Sequence, residues 1–488
     1  MTRLIRAGLA LLDPTTPPAH DVGVLVDDEA VIAVGGWAAL HERFPQVEVV
    51  GGPEMLLVPA LCDAYARSWQ ALSGDDMHEL RHLMAVSQPR VDAATLASWH
   101  GLRLLRTGVS TVLVSYRPQS ATVIEDVTAT IHGYRDAGLR VALHLPFADR
   151  LGLVYDDEER FRRGLPPGLR AHSAAQSAFS TLPVAEYLDA VHQLQVLEDS
   201  SRRWVQLQLG LEDAPWCSDE LLLEMTAFAQ QRGLRLVLPL LASYYQMRFA
   251  HRRWGRTHIW HLEALGVLGP WLSCPHLVWP DFDDLELLAE RGVGVLHCPS
   301  ADLRSRCGIA PLAEIARSGI AVGIGSAGLS FDGDDDYLRE LRLAWTLANR
   351  PGAEAPTVAA RDIWHMGGRG GALAAWGPEL QIGRITPGAD ADLVLIDIND
   401  ILLDSQLEGE ALREALLRTI SSRHVRDVMV GGRWALRNGV ATKLDETALR
   451  AEVRQQLAQP RDPHYQQALF TAQGLSGYIR RFYKSWNE

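Results

Sequence analysis

The sequence has few cysteines and no long hydrophobic run. Its five cysteines are scattered and form no CxxC pair: Cys62, Cys217, Cys274, Cys298 and Cys307. Such cysteines are most often small buried residues of a reducing compartment. No run approaches the roughly 18 apolar residues of a membrane span, and the N-terminus has no apolar segment with a cleavage site. We therefore expect a cytoplasmic protein that does not bind a membrane.

The sequence also lacks blocks of like charge. Its net charge is -13 at pH 7, and acidic and basic residues are interleaved. This pattern argues against a nucleic-acid partner. With 488 residues, of which 47% are apolar and 22% charged, the chain can bury a large core. The length suits one large barrel with an accessory domain.

The apolar pattern divides the chain into three parts. Short β-like runs separated by turn residues occupy residues 1–58 and 380–445, which predicts a composite β-sandwich built from both ends. Residues 59–379 alternate apolar strands with amphipathic helices, which predicts an α/β fold, a (β/α)8 TIM-like barrel. Residues 446–488 form a helical tail with a basic and aromatic end. We expect this tail to pack on the barrel or across a dimer.

Several stretches carry recognisable motifs. Four of these stretches are Pro59–Arg67, which is similar to P-G-L-x-D-x-H-x-H, Trp216–Leu222, which matches W-C-S-D-E-L-L, Cys298–Arg304, which is similar to C-P-S-S-N-L-R, and Ile382–Val394. Together they resemble the amidohydrolase superfamily, in its cytosine-deaminase-like, hydroxyatrazine-hydrolase-like and 8-oxoguanine-deaminase-like branch. The resemblance implies a (β/α)8 barrel that holds one zinc or iron ion. It also implies hydrolysis of non-peptide C–N bonds in small polar or heteroaromatic compounds.

The metal-binding positions of that family hold other residues here. The family has two histidines after strand 1, one after strand 5 and an aspartate after strand 8, where this chain has Tyr65, Arg67, Pro239 and Ala327. Ala242 stands where the family has a proton-shuttling glutamate. A catalytic zinc needs about three protein ligands, and a guanidinium has no lone pair to offer. We therefore expect no metal and no other cofactor.

Four residues are the candidate catalytic groups. His276 persists from the family's catalytic set, as a general acid or base or as a leftover polar residue. Arg67 either stabilises a developing oxyanion, grips a carboxylate or phosphate, or forms a salt bridge that fills the empty site. Tyr65 either binds a ligand or plugs the cavity. Asp302 is a charge partner for Arg67, a base, or a solvated surface residue.

Four further residues are candidates for ligand binding: Trp216, Tyr244, His297 and Ser326. His297 and His144 lie on predicted strands, where histidines are more often satisfied core residues. We expect the ligand to be a small molecule in the mouth of the barrel.

Three functions are open on this sequence. The first is a non-catalytic subunit or small-molecule-binding protein, paired with itself or with an intact paralogue. The second is a metal-independent enzyme that uses Arg67, Tyr65, His276 and Asp302. The third is a conventional deaminase or aminohydrolase. We expect the first, because the metal ligands and the glutamate are replaced together.

Overall fold

A computed structural model describes most of the chain. The described residues are 2–67, 77–84, 91–118, 122–150, 152–172, 183–198, 202–328, 336–349, 352–354, 357–401, 406–460 and 463–486. Within them, no helix is both long and apolar enough to cross a membrane.

The strands form two eight-stranded sheets. In chain order they are β1 (Arg3–Ala10), β2 (Ala19–Asp27), β3 (Ala30–Gly36), β4 (Glu48–Pro59), β5 (Leu61–Arg67), β6 (Val109–Ser115), β7 (Arg140–Phe147), β8 (Val205–Leu211), β9 (Leu236–Val237), β10 (Leu272–Pro275), β11 (Gly294–His297), β12 (Val322–Ile324), β13 (Leu393–Asp397), β14 (Val425–Val430), β15 (Arg433–Arg437) and β16 (Val440–Ala441).

The helices of the described part of the chain follow the barrel strands or extend the two ends. They are α1 (Trp37–Arg43), α2 (Arg81–Met84), α3 (Ala93–Leu105), α4 (Val123–Ala137), α5 (Glu158–Arg163), α6 (Pro167–His172), α7 (Val184–Leu194), α8 (Asp219–Arg232), α9 (Tyr244–Trp254), α10 (His258–Leu265), α11 (Phe282–Glu290), α12 (Pro299–Arg304), α13 (Leu312–Arg317), α14 (Tyr337–Ala348), α15 (Ala360–Met366), α16 (Arg369–Ala375), α17 (Gly409–Thr419), α18 (Glu446–Leu457) and α19 (Pro463–Lys484).

Strands β5 to β12 form the predicted barrel. They pair in parallel in sequence order, and the Ala327 N–H closes the barrel from just beyond β12 by donating to the Tyr65 carbonyl on β5 at 2.7 Å. Each strand is buried along most or all of its length because helices cover the outside. The (β/α)8 fold expected from the sequence is confirmed.

The fifth barrel strand is shorter than its apolar run suggests. Residues 234–241 read as one strand, yet β9 covers only Leu236–Val237. Pro239 has no N–H to donate to the ladder, and Leu241 adopts a positive φ of 47°. The segment still follows β10, because the Leu240 N–H donates to the Pro275 carbonyl at 3.3 Å.

The two chain ends share the second sheet. Its strand order is β16-β15-β14-β13-β4-β1-β2-β3, so β13 of the C-terminal part pairs directly with β4 of the N-terminal part. Both chain ends therefore contribute to one continuous hydrogen-bonded sheet, and the bounds expected for a composite β-sandwich stay a prediction.

One buried ion pair joins the barrel to this second sheet. Arg140, at the start of β7, donates from Nε and Nη2 to the two carboxylate oxygens of Asp392, at 3.0 and 2.9 Å. Arg140 is 1% exposed and also stacks on Trp204 at 4.4 Å. Such a fork-to-fork geometry gives both strength and orientation. It fixes the second sheet at the amino-terminal end of the barrel strands, away from the strand ends that follow β5 to β12.

Substituting Asp392→Asn should destabilise the protein strongly. The buried Arg140 guanidinium would lose its bidentate partner, which costs about 3 kcal/mol or more. The exposed pair of Arg150 and Glu220, 3.7 Å apart, is the matched control, and Arg150→Gln should cost about 0–1 kcal/mol. Urea unfolding measures both. Equal effects of the two substitutions would contradict a joining role for Arg140.

Candidate functional site

Strained backbone gathers at the carboxyl ends of the barrel strands. Leu241, His276, Leu277 and Ala327 all have positive φ angles, of 47°, 78°, 54° and 48°. Non-glycine residues pay an energy cost for this conformation, and such residues concentrate at functional sites. The carboxyl ends of the strands are also the face where barrel enzymes place their active sites. We therefore take this face as the candidate site.

Strand β5 is held against the segment after β12 at the centre of this face. Asp63 accepts from the backbone N–H and the hydroxyl of Ser326, at 3.0 and 2.6 Å. A Cβ on Gly325 would lie 2.7 Å from the Tyr65 carbonyl oxygen, so only glycine allows this approach. Ser326 is thus tied to Asp63, and its predicted contact with a ligand stays a prediction.

Tyr65 lies in the middle of the barrel mouth. Its side chain is 2% exposed and its ring lies 5.9 Å from that of His144 and 6.1 Å from that of His276. Burial raises the pKa of its hydroxyl, which hydrogen-bonds with Ser115 and Arg67. Tyr65 therefore fills the centre of the barrel mouth, and the half-buried Arg67 is hydrogen-bonded to it.

His276 and Asp302 form a buried pair. The Nδ1 of His276 lies 2.7 Å from Asp302 Oδ1, and the two side chains are 3% and 1% exposed. Among the described residues, His276 Nε2 and Asp302 Oδ2 have no hydrogen-bond partner. The structure thus pairs Asp302 with His276, where the sequence allowed a pair with Arg67. Both free atoms belong to buried side chains of the barrel mouth.

Two further histidines are buried on neighbouring strands. Burial lowers the pKa of His144 to about 3 and that of His297 to about 4, so both are neutral at pH 7. Neither nitrogen of His144 and not Nδ1 of His297 finds a partner within the described residues. Both histidines are buried, as expected for core residues, but these ring nitrogens lack the hydrogen bonds that a satisfied core histidine would have. Unpartnered buried polar atoms are rare and call for a ligand or water.

A second polar cluster went unnoticed in the sequence. His78, from the short 3-10 turn His78–Leu80, has Nε2 3.3 Å from Asp213 Oδ2, and its ring meets that of His276 edge-on at 5.6 Å. Arg81 forms ion pairs with Asp213 and Glu212, and Arg117 pairs with Glu212. Burial raises the pKa of Asp213, but Arg81 and His78 together outweigh it and the net pKa is lowered. No motif marked these residues, because they come from separate loops.

Glu79, in the same turn, reaches the end of the fifth barrel strand. Its carboxylate accepts from the Ser243 hydroxyl, and burial raises its pKa to about 7. Next to Ser243, the Ala242 N–H donates to Gln246 Oε1 at 2.8 Å. A carboxyl group is thus present beside Ala242, supplied by another part of the chain.

Two predicted ligand-binding residues lie at the edge of the site. Trp216 is 3% exposed and packs on Tyr155 at 4.8 Å, within an apolar cluster that includes the C-terminal helix. Tyr244, at the start of α9, contacts Trp279 at 5.4 Å. Their contacts with a ligand stay predictions.

Comparison with known proteins identifies the family. The model of the "Amidohydrolase family" matches residues 56–435, which is most of the chain. This chain belongs to the amidohydrolase family. The resemblance stated from the motifs is confirmed.

Curated relatives of this amidohydrolase are deaminases. A 5-methylthioadenosine/S-adenosylhomocysteine deaminase of Moorella thermoacetica is 25% identical over 454 residues, which cover 91% of this chain and 96% of the relative. A 5'-deoxyadenosine deaminase of Methanothermobacter thermautotrophicus is 29% identical, over 50% of this chain and 55% of the relative.

Solved structures share the fold. An adenosine deaminase from Xanthomonas campestris with bound zinc superposes with a TM-score of 0.78 at 21% identity, covering 93% of this chain and 97% of that one. The E. coli guanine deaminase superposes with a TM-score of 0.69 at 16% identity, covering 88% and 99%. At these identities the likeness establishes the fold alone.

The donor set at the family's metal positions does not fit a catalytic zinc. Tyr65 and Arg67 hydrogen-bond with each other, and Pro239 and Ala327 carry no donor atom. Within the described ranges, no group of three His, Cys, Asp or Glu side chains is arranged to hold a metal ion. His276 offers a single donor nitrogen, the unpartnered Nε2, because its Nδ1 is paired with Asp302. Among the described residues, these positions therefore supply fewer than the three protein ligands of a catalytic zinc site.

Restoring the first two histidines should not restore tight zinc binding. The variant Tyr65→His with Arg67→His still lacks donors at Pro239 and Ala327, so we expect far less than one zinc per chain by elemental analysis after dialysis. Adding Pro239→His and Ala327→Asp supplies the missing donors and is the matched comparison, expected to retain more zinc. One tightly bound zinc per chain in the two-residue variant would contradict this account.

Substituting His144→Phe should make stability less sensitive to acid. The folded-state pKa of His144 is about 3, and an unfolded histidine has a pKa of about 6.5. Between these values the unfolded chain binds more protons, so folding stability falls as the pH drops below about 6.5. When the pH falls from 7.5 to 5, His144 should lower the free energy of unfolding of the parent protein by about 2 kcal/mol. The variant should not lose this amount.

Urea unfolding at the two pH values measures this difference. The exposed His192 is the control, and His192→Gln should leave the pH dependence unchanged. If His144→Phe and the parent protein lost the same stability on acidification, the buried neutral state of His144 would be refuted.

Proposed function

We propose that this amidohydrolase is a deaminase-type hydrolase of an amino-substituted, purine-like heteroaromatic compound, and that its own side chains activate the water. The curated relatives favour hydrolysis of a C–N bond over the non-catalytic subunit expected from the sequence. The observation that carries the proposal is the buried pair of His276 and Asp302 at the strand ends.

The pairing fixes which nitrogen of His276 can act as a base. A carboxylate accepts hydrogen bonds, so the proton of the neutral imidazole resides on Nδ1 and donates to Asp302. The lone pair is then on Nε2, which has no partner among the described residues. This is the arrangement by which a carboxylate orients a histidine as general base.

The proposed reaction balances without a further reactant. His276 Nε2 takes a proton from water while the water oxygen bonds to the carbon that carries the amino group. The C–N bond then breaks, and the same proton passes to the departing nitrogen as ammonia leaves. Negative charge builds on the ring during the attack, and the guanidinium of Arg67 and the Tyr65 hydroxyl are the nearby groups that stabilise it.

A second candidate is a binding protein without turnover. The large Tyr65 side chain and the missing donors at Pro239 and Ala327 favour it, because they remove the usual means of activating water. In that case the same pocket would bind the ligand for another purpose. Pairing with a second copy or with an intact paralogue belongs to this candidate.

Ammonia release from 5'-methylthioadenosine, S-adenosylhomocysteine and 5'-deoxyadenosine tests the proposal. We expect turnover in chelator-treated protein, and a loss of about 100-fold or more for His276→Gln and for Asp302→Asn. The matched control is His261→Gln, which breaks a similar pair with Asp219 at 2.8 Å on the surface. It should keep full turnover.

The outcomes separate the candidates. Turnover that survives His276→Gln, or that requires added zinc, would refute the proposed route. Binding of these compounds by calorimetry without ammonia release would support the second candidate.

A further inference from the structure

The C-terminal helix packs on the same face of the barrel as the candidate site. The buried side of α19 and the residues after it (Leu475, Ile479, Tyr483 and Trp486) form one apolar cluster with side chains that follow the barrel strands. These partners come after β5 (Leu80), after β7 (Tyr155), after β8 (Trp216) and from α9 (Tyr245). The helix thus shares one apolar cluster with segments that follow four barrel strands.

Tyr483 anchors this helix to the barrel. It is fully buried, and its hydroxyl oxygen accepts from the Tyr155 N–H at 3.0 Å. Its ring lies 4.6 Å from that of Tyr245 and 5.8 Å from that of Tyr155. Two aromatic contacts and a hydrogen bond hold a single orientation of the ring.

Trp486 fixes the end of the helix. It is 3% exposed, the Arg252 guanidinium lies over its ring at 4.5 Å, and Arg248 Nη2 donates to its carbonyl at 3.4 Å. Both arginines belong to α9, which begins next to Ser243, the partner of Glu79.

The anchored helix is connected to the polar cluster through Tyr155 and Gln246. Tyr155, which binds Tyr483, also accepts from Gln246 Nε2 at 3.3 Å through its hydroxyl. The same amide nitrogen lies 3.3 Å from His78 Nε2, and the His78 ring meets His276. Any ligand that contacts His276 and extends toward Tyr155 would therefore meet this aromatic layer.

We propose that the C-terminal helix, through Tyr483 and Trp486, determines the size of the ligand by closing the strand-end face on the side of β7 to β9. This inference rests on the proposed function, since it concerns the same pocket. The helix lies outside residues 56–435 that match the family model. Rigid aromatic side chains suit such a wall, because they give contact area at little cost in conformational entropy.

Point substitutions test the closure without deleting the helix. The opening variant combines Tyr483→Ala and Trp486→Ala. The conservative variant Tyr483→Phe keeps the ring and loses only the hydrogen bond, and Phe470→Ala, at a position 68% exposed on the same helix, is the matched control.

Binding of a graded series measures the size limit. The probes are adenine, adenosine, 5'-methylthioadenosine and S-adenosylhomocysteine, each by calorimetry. We expect the opening variant to gain about tenfold for the largest probe relative to adenine. Tyr483→Phe and Phe470→Ala should keep the profile of the parent protein.

Alkylation of Cys307 gives a readout that needs no ligand. Cys307 lies beside the buried pair, because its N–H donates to the Asp302 carbonyl at 2.8 Å, and it is 1% exposed. With a bulky maleimide followed by mass spectrometry, the opening variant should label Cys307 about tenfold faster. Cys62, fully buried in β5, is the internal control and should stay unlabelled.

Each result decides one question. Faster labelling of Cys307 alone supports the closure, even if no probe binds, in which case the proposed function fails separately. Unchanged labelling with an unchanged size profile overturns the inference. Equal labelling of Cys307 and Cys62 also overturns it, because the helix would then stabilise the whole barrel rather than close its mouth.

Discussion

The contact between β5 and the segment after β12 is the constraint on which the site depends. A barrel closes only if its first and last strands approach within hydrogen-bonding distance, and here Gly325 permits that approach. Asp63 then accepts twice from Ser326, and the Ala327 N–H donates to Tyr65. These bonds set where the Tyr65 ring stands, and the ring in turn spaces His144 from His276. The geometry of the barrel mouth therefore follows from the contact between β5 and the segment after β12.

The buried charged side chains near the barrel mouth are arranged so that positive and negative groups pair. Arg81 and Arg117 face Glu212 and Asp213, so three of the four partners are held by two or more contacts each. Removing such charges from water is costly, and their mutual attraction offsets the cost only with good geometry. Glu79 bonds to Ser243, and burial raises its pKa to about 7 although Ser243 and Arg81 both act to lower it. The site therefore contains both ionised carboxylates and one that changes protonation near neutral pH.

The sequence predicts the architecture better than the site. Periodic apolar runs and ordered motifs specify the barrel and the shared second sheet, because both depend on local pattern and on packing. Tyr65, Arg67 and His276 could be placed at the strand ends for the same reason. The partner of Asp302 could not be predicted, since it depends on the directions of two side chains, one just after β10 and one in α12. His78 carries no signal at all: a three-residue turn brings it to His276, and neither spacing nor composition marks that turn.

Two proteins can share a fold without sharing the side chains that would bind a metal ion. The zinc-containing relative superposes on nearly the whole chain at 21% identity, and what the two share at that level is backbone packing. Reaction chemistry depends on a few atoms, and the first barrel strand of this chain ends in Tyr65 and Arg67, a hydroxyl and a fixed positive charge. A guanidinium can stabilise developing negative charge but cannot deprotonate water. Any hydrolysis at this place must therefore take its base from another residue. Of the side chains brought together here, His276 has a carboxylate on one nitrogen and a free lone pair on the other.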